Sequence, residues 1–119
     1  MFISKEIIHT LSLAYLTEHS VVCYAESQSL AITTNKVILI MDHSQLYILG
    51  LNTFLTKVTQ VTTLSLADIT NERYSTNPIS LSITWSFTSG TNEWRFRIMK
   101  KILTLGDGQK EFINRLNFK

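Results

Sequence analysis

The chain has 119 residues and a formal net charge of +2, with 45% apolar and 17% charged residues. This length fits one domain with a buried core, and so small a charge does not by itself indicate nucleic acid or an anionic membrane as a partner. The single cysteine, Cys23, excludes an internal disulfide framework, and no apolar run approaches the roughly 18 residues that cross a bilayer, so we expect a cytoplasmic protein.

The first predicted element is an amphipathic helix over residues 3–17, within an N-terminal segment 1–19. Its apolar residues recur at the spacing of one helical face, and they are Ile3, Ile7, Leu11 and Ala14. Ser4 is a suitable N-cap residue. Because the polar face lacks the dense Lys and Arg of a membrane-surface helix, we expect the stripe to contact the core or another subunit, and we take it as a candidate oligomer face.

Short apolar segments separated by polar turns follow, and each fits a β-strand. The predicted strands cover residues 21–27, 30–33, 37–41, 46–51 and 57–66, and a further strand could start at residue 67. The alternation in 57–66 changes parity, which indicates a bulge. Residues 71–78 are polar and hold the only proline, so they are predicted to form a loop.

The clearest pattern lies between residues 79 and 99, where apolar and polar side chains alternate in two runs. The apolar members are Ile79, Leu81, Ile83, Trp85 and Phe87 in the first run, and Trp94, Phe96 and Ile98 in the second. Residues 88–92 interrupt the alternation and contain Gly90. Because strand side chains alternate between faces, this pattern predicts an antiparallel hairpin that packs one face on a core.

A final helix is predicted from Asp107, its capping residue, to Phe118, with Phe112, Ile113 and Leu116 facing inward. The chain therefore contains about seven short strands between two helices. No helix-length segment separates the strands, which favours a sandwich or barrel over a parallel sheet. We expect a mainly β (α+β) fold, with the C-terminal helix closing one end.

Three segments resemble the pleckstrin-homology-like (PH-like) family, especially its small bacterial and GRAM-type members. In residues 30–40 a Thr-Asn-Lys turn separates two apolar strands, residues 64–69 read Leu-Ser-Leu-Ala-Asp-Ile, and residues 110–116 match the capping helix. The resemblance implies a PH-like barrel of about seven antiparallel strands over residues 20–119. The N-terminal helix is an addition to this single structural domain.

The resemblance also bears on function. Bacterial relatives imply assembly with other protein chains. Eukaryotic lipid-binding members carry several Lys and Arg residues around the first hairpin turn, and these bases grip inositol phosphates. The corresponding turn here, residues 26–29, has one acid and no base. The resemblance therefore implies the fold but not phosphoinositide binding.

The sequence offers no convincing catalytic or metal-binding pattern. His9 and His19 lie ten residues apart and do not share one helical face, and no second cysteine completes a ligand set. Asp42, His43 and Ser44 are consecutive, so they cannot orient one another as a hydrolytic triad. We therefore expect no catalytic residue, no cofactor and no bound metal.

The most concentrated positive charges are Arg95, Arg97, Lys100 and Lys101. The two arginines share the polar face of one strand, opposite Ser82 or Thr84 of its partner. This patch is either a solvated face or a surface for acidic partner segments or lipid headgroups. No exposed aromatic residue is interleaved with the arginines, which argues against nucleic acid as a partner.

The leading interpretation is a non-catalytic binding or scaffolding module that self-associates through the N-terminal helix or its strand edges. The expected partner is therefore a second copy of the chain, as in a homo-oligomer, or another protein. The alternative is a peripheral membrane module that binds anionic headgroups through the basic strand face. A third class is a small-ligand carrier or enzyme that uses the mouth of the barrel, which requires a deep cavity lined by convergent polar groups.

Overall fold

The computed structural model describes residues 3–29 and 34–117 of the chain. The elements, in chain order, are α1 (Lys5–Ser12), β1 (Val21–Ser27), β2 (Lys36–Met41), β3 (Gln45–Leu51), β4 (Val58–Ser65), β5 (Ile69–Ser75), β6 (Ser82–Ser89), β7 (Asn92–Met99) and α2 (Gly108–Asn117). Single turns of 3-10 helix follow α1 and precede β5 and α2. The strand predicted at residues 30–33 lies outside the described residues.

The seven strands found in residues 3–29 and 34–117 belong to one antiparallel sheet in the order β4-β3-β2-β1-β7-β6-β5. β1 joins the two halves of the sheet. It pairs along most of its length with β2 but meets β7 only at Glu26 and Ser27. The sheet is not closed, so β4 and β5 are its two edges. The predicted mainly β fold, with a helix near each end of the chain, is confirmed.

The interior core lies between the two halves of the sheet and is closed by α2. The strands contribute Cys23, Ala25, Val37, Leu39, Met41, Leu46, Ile48, Ile83, Trp85, Phe87, Trp94, Phe96 and Ile98. Phe112 and Leu116 enter from α2, and the Phe112 ring lies 6.1 Å from that of Trp85 between centroids. The inward faces predicted for the hairpin strands and for α2 are confirmed in these residues.

The predicted hairpin is wrong at its start. Ile79 and Leu81, expected to face inward, are 91% and 75% exposed. The reason is that β6 begins only at Ser82, which pairs with Met99, so residues 79 and 81 lie beyond the last residue pair of the hairpin. The turn is also tighter than predicted. Ser89 pairs with Asn92 around a two-residue turn, and the positive φ of Gly90 (62°) suits that turn.

The loop predicted at residues 71–78 is wrong in its first half, because β5 runs on to Ser75. An edge strand is only partly buried, even on the face that it turns to the core. A polar composition is therefore compatible with strand structure there. The register between β5 and β6 shifts between Thr70 and Arg73, and Asn71 adopts a left-handed backbone with φ of 53°. This bulge turns Arg73 to the outer face of the sheet.

The bulge predicted in β4, the edge strand at the other side of the sheet, is confirmed. Gly50 pairs with Gln60 but Leu51 pairs with Val58, which leaves Thr59 as the extra residue. The shift turns Val58 to the outer face of the sheet, where it packs against residues beside α1. Leu64, beyond the bulge, packs against the interior core.

α1 covers the outer face of β2 and β3 within the same chain. Its N-terminus is capped as predicted, since the Ser4 hydroxyl accepts a hydrogen bond from the Ile7 N–H at 3.2 Å. The helix ends at Ser12, earlier than predicted, and a 3-10 turn continues to Tyr15. Under it lies a second core of Ile3, Ile38, Ile40, Leu49, Leu51, Leu55 and Leu105.

Candidate functional site

The predicted basic patch follows β7 and continues past its end. Arg95 and Arg97 lie on the outer face, where Arg95 pairs with Ser86 and Arg97 with Thr84. Arg97 also donates from Nε to the Ser82 hydroxyl at 3.3 Å. Its guanidinium lies 3.7 Å from the Glu26 carboxylate, and both side chains are about half exposed, so this ion pair contributes little to stability. The patch ends with Lys100 and Lys101 beyond the strand.

Arg73 belongs to the same face, although it is not part of the patch predicted from the sequence. It pairs with Ser86, which in turn pairs with Arg95, so the two arginines flank one serine across three strands. Neighbouring strands are about 4.8 Å apart, which places the two arginine Cα atoms about 10 Å apart. Neither arginine forms an ion pair with any described residue. An open groove of about 860 Å³ runs beside them.

The candidate oligomer face on α1 is largely covered within the chain. Ile3 is buried, and Ile7 and Leu11 are half-buried against the outer core, whereas Ala14 is exposed. Only the far end of the predicted stripe therefore faces solvent. Contact of these residues with a second copy stays a prediction.

A cleft of about 350 Å³ lies between α1, β1 and the start of α2. Its charged lining residues are Lys5, Asp107 and Glu111, and His9 also faces it. The Ser12 hydroxyl lines it too and is one of two buried side-chain polar atoms that lack a hydrogen-bond partner among the described residues. Acidic and basic side chains both line the cleft, so the charges of its lining favour neither anionic nor cationic ligands.

Gln109 closes the gap where β1 and β7 separate, a role that the sequence pattern did not predict. The side chain is only 1% exposed. Its Oε1 accepts from the Tyr24 N–H at 2.7 Å, and its Nε2 donates to the Tyr24 and Met99 carbonyls, each at 2.9 Å. In the sequence, Gln109 looks like any other polar residue on the outer side of an amphipathic helix. Its burial between β1 and β7 could therefore not be predicted.

Glu72 ties the edge strand β5 to the core. Its Oε2 accepts hydrogen bonds from the Trp85 indole N–H at 2.8 Å and from the Tyr74 hydroxyl at 2.6 Å. Partial burial, followed by the hydrogen bond to Glu72, raises the pKa of Tyr74. The phenol therefore stays protonated and keeps donating to the carboxylate over the neutral range.

Asp42 shapes the turn that contains His43 and Ser44, and the His43 ring lies beside that of His19. Asp42 Oδ1 accepts the backbone N–H groups of Ser44 and Gln45, each at 2.8 Å, and the bond from Ser44 is the largest cause that lowers the pKa of Asp42. These bonds shape the β2–β3 turn. The rings of His19 and His43 lie 4.5 Å apart between centroids, a proximity that the sequence did not reveal.

Neither metal ligation nor thiol chemistry has a clear site in residues 3–29 and 34–117. This part of the chain holds no group of three or more His, Cys, Asp or Glu residues placed to bind one metal ion. Cys23 is buried in the interior core, and burial raises its pKa, which disfavours the reactive thiolate. None of the described helices has the length and apolar character needed to span a bilayer.

Comparison of the chain with protein-family models, with curated proteins and with solved structures finds no match.

Proposed function

We propose that this protein is a non-catalytic cytoplasmic module of the PH-like class that acts as a scaffold by pairing its β4 edge with a second copy. The strand order supports the PH-like part of the proposal. Two antiparallel halves meet at β1 and β7, and a C-terminal helix packs between them, as the resemblance implies. The interior is filled by large side chains such as Trp85 and Phe112, which favours a surface function over chemistry in a barrel mouth.

The observation that carries the self-association is the composition of β4. This edge strand, Val58–Ser65, reads VTQVTTLS and contains no charge, no proline and no glycine. In monomeric proteins, edge strands commonly contain charged residues or prolines, or are short. These features prevent pairing, because an exposed edge strand without them is a template for pairing with another chain. β5, the other edge, carries the charged residues Glu72 and Arg73, whereas the bulge of β4 lies near its start, before Val61.

The pairing follows from the symmetry of homodimers. Two copies related by a two-fold axis bring the same strand edge together in antiparallel orientation, so one sheet continues into the other. Val61, near the middle of β4, is 44% exposed. The two Val61 side chains would lie close to the axis, where burial of β-branched residues favours strand pairing. The covered stripe of α1 leaves this edge as the better candidate.

We expect Val61→Lys to weaken self-association by about tenfold or more, because two like charges would face each other across the two-fold axis. Sedimentation velocity over a concentration series measures the effect. Leu13→Lys is the matched control, since Leu13 is also an exposed aliphatic residue (61%) but lies beyond the end of α1. A monomeric wild-type protein at high concentration, or equal effects of both variants, would contradict the proposal.

The second candidate function is a peripheral membrane module. The row of Arg73, Ser86 and Arg95 favours it, because two arginines without ion-pair partners among the described residues flank a hydroxyl on an open face. Guanidinium groups bind phosphate through charge-assisted, bidentate hydrogen bonds. Co-sedimentation with vesicles that contain or lack anionic lipid tests this candidate. Absence of binding at low salt would exclude it.

A further inference from the structure

The loop between β5 and β6 presents the two most exposed large aliphatic side chains of the described residues, Ile79 and Leu81. Single exposed apolar residues are common on protein surfaces. Here two of them lie two residues apart in one loop, at 91% and 75% exposure. Neither side chain packs in the core, so both are accessible to a partner outside the chain.

This exposure is built into the loop by its hydrogen bonds. Asn77 Oδ1 accepts the N–H groups of Ile79 at 3.0 Å and Ser80 at 2.9 Å. The hydroxyls of Thr76 and Ser80 both donate to the Ser82 carbonyl, at 3.0 and 2.8 Å. These hydrogen bonds restrain the loop, which reduces the conformational entropy lost when its tip enters another environment.

One lysine contacts the same loop, and a second lysine follows it in the chain. The Lys100 N–H donates to the Leu81 carbonyl and its ammonium donates to the Asn77 carbonyl, each at 2.9 Å. Lys101 follows and is exposed. Neither lysine forms an ion pair with a described residue. One ammonium group is thus bound to the loop that carries the two projecting aliphatic side chains, and a second positive charge follows it in the chain.

We propose that one surface of the protein docks on an anionic lipid bilayer, with two aliphatic side chains entering the acyl region. This insertion surface consists of Ile79, Leu81, Lys100 and Lys101. Lysines beside an apolar tip place their ammonium groups at headgroup level while the tip lies deeper. Projecting aliphatic side chains suit a disordered acyl layer, and the lysines select anionic lipid. The inference rests on the second candidate function, and it assigns the contact to a loop other than the first hairpin turn.

A fluorescent probe tests the insertion. We would label Leu81→Cys with an environment-sensitive dye, a selective reaction because the native thiol of Cys23 is buried. The labelled protein is mixed with vesicles of phosphatidylcholine, with or without phosphatidylserine. We expect a blue shift and quenching by acyl-chain quenchers with the anionic vesicles alone. A label at Leu13→Cys should show neither change.

The unlabelled protein supplies the second measurement. We expect Ile79→Asp combined with Leu81→Asp to reduce co-sedimentation with anionic vesicles by about tenfold or more, because two apolar contacts are lost and two negative charges are added. Leu13→Asp should bind as the wild type does. The affected side chains are exposed, so the fold should persist, and circular dichroism verifies this.

The outcomes separate the inference from the function on which it rests. Binding of anionic vesicles without a spectral change at position 81 overturns the insertion and leaves headgroup binding by the arginine face. Absence of vesicle binding overturns both. A blue shift produced by soluble poly-glutamate without vesicles would assign the surface to an acidic protein partner and also overturn the inference.

Discussion

Replacement of Phe112 by alanine is expected to lower the free energy of unfolding by about 3–5 kcal/mol, the usual cost of truncating a fully buried aromatic side chain. The Phe112 side chain is 0% exposed and packs edge-on against the Trp85 indole. Its removal leaves a cavity between the two sheet halves, which the surrounding side chains can fill only in part. The loss is a large fraction of the 5–15 kcal/mol that stabilises a typical domain.

Urea unfolding followed by circular dichroism measures this change. Asn114→Ala is the matched control, because Asn114 lies two residues further along α2 and is exposed. We expect the control to stay within about 0.5 kcal/mol of the wild type. If Phe112→Leu and Phe112→Ala were both as stable as the control, α2 would not close the interior.

Replacement of Gln109 by alanine is expected to cost about 2–3 kcal/mol, although this residue is polar and belongs to the first turn of a helix. The variant removes three hydrogen bonds and leaves two groups of Tyr24 and the Met99 carbonyl without their partner. A buried polar group that loses its partner costs about 1–3 kcal/mol, and the partial exposure of Tyr24 lets water recover some of that cost.

The same unfolding experiment measures the Gln109 effect. Lys110→Ala is the natural comparison, since Lys110 is the next residue of α2 and points to solvent. Amide hydrogen exchange measures the effect at individual backbone N–H groups. The Tyr24 N–H should exchange faster in the Gln109→Ala protein, while the β2 amides change in proportion to global stability. Equal stability of the two variants would show that the helix start does not anchor β1.

Much of the sheet could be predicted because alternation reports which face of a strand is buried. The strand Val21–Ser27 has the predicted bounds, and Trp85 and Trp94 face the interior as their parity requires. Parity cannot report where the partner strand ends. Leu81 continues the alternation of β6, yet it lies beyond the last sheet pair and is exposed.

Polar composition misled the prediction at β5 for a related reason. An edge strand needs few apolar residues, so residues 71–75 read as a loop. Asn71 was the available signal, since asparagine is among the residues that tolerate a left-handed backbone. Recognising it would have predicted a bulge, and with it the outward position of Arg73 beside Ser86.

The position of α1 and the role of Gln109 could not be predicted from one sequence. An apolar stripe such as that of Ile3 and Ile7 shows that a helix needs a partner surface, but the stripe fits the outer face of β2 and β3 as well as it fits a second copy. Gln109 depends on the separation of β1 from β7, which is a property of the assembled sheet.

The proposed surfaces all depend on the two sheet halves enclosing the side chains of Trp85 and Phe112. Proton NMR tests this enclosure most directly, through nuclear Overhauser effects between the Trp85 indole and the Phe112 ring, whose centroids are 6.1 Å apart. We expect these cross-peaks, together with slow exchange of the Trp85 indole N–H that is bonded to Glu72. Absent cross-peaks and an indole proton that exchanges at the rate of free tryptophan would contradict the fold and every surface assigned on it.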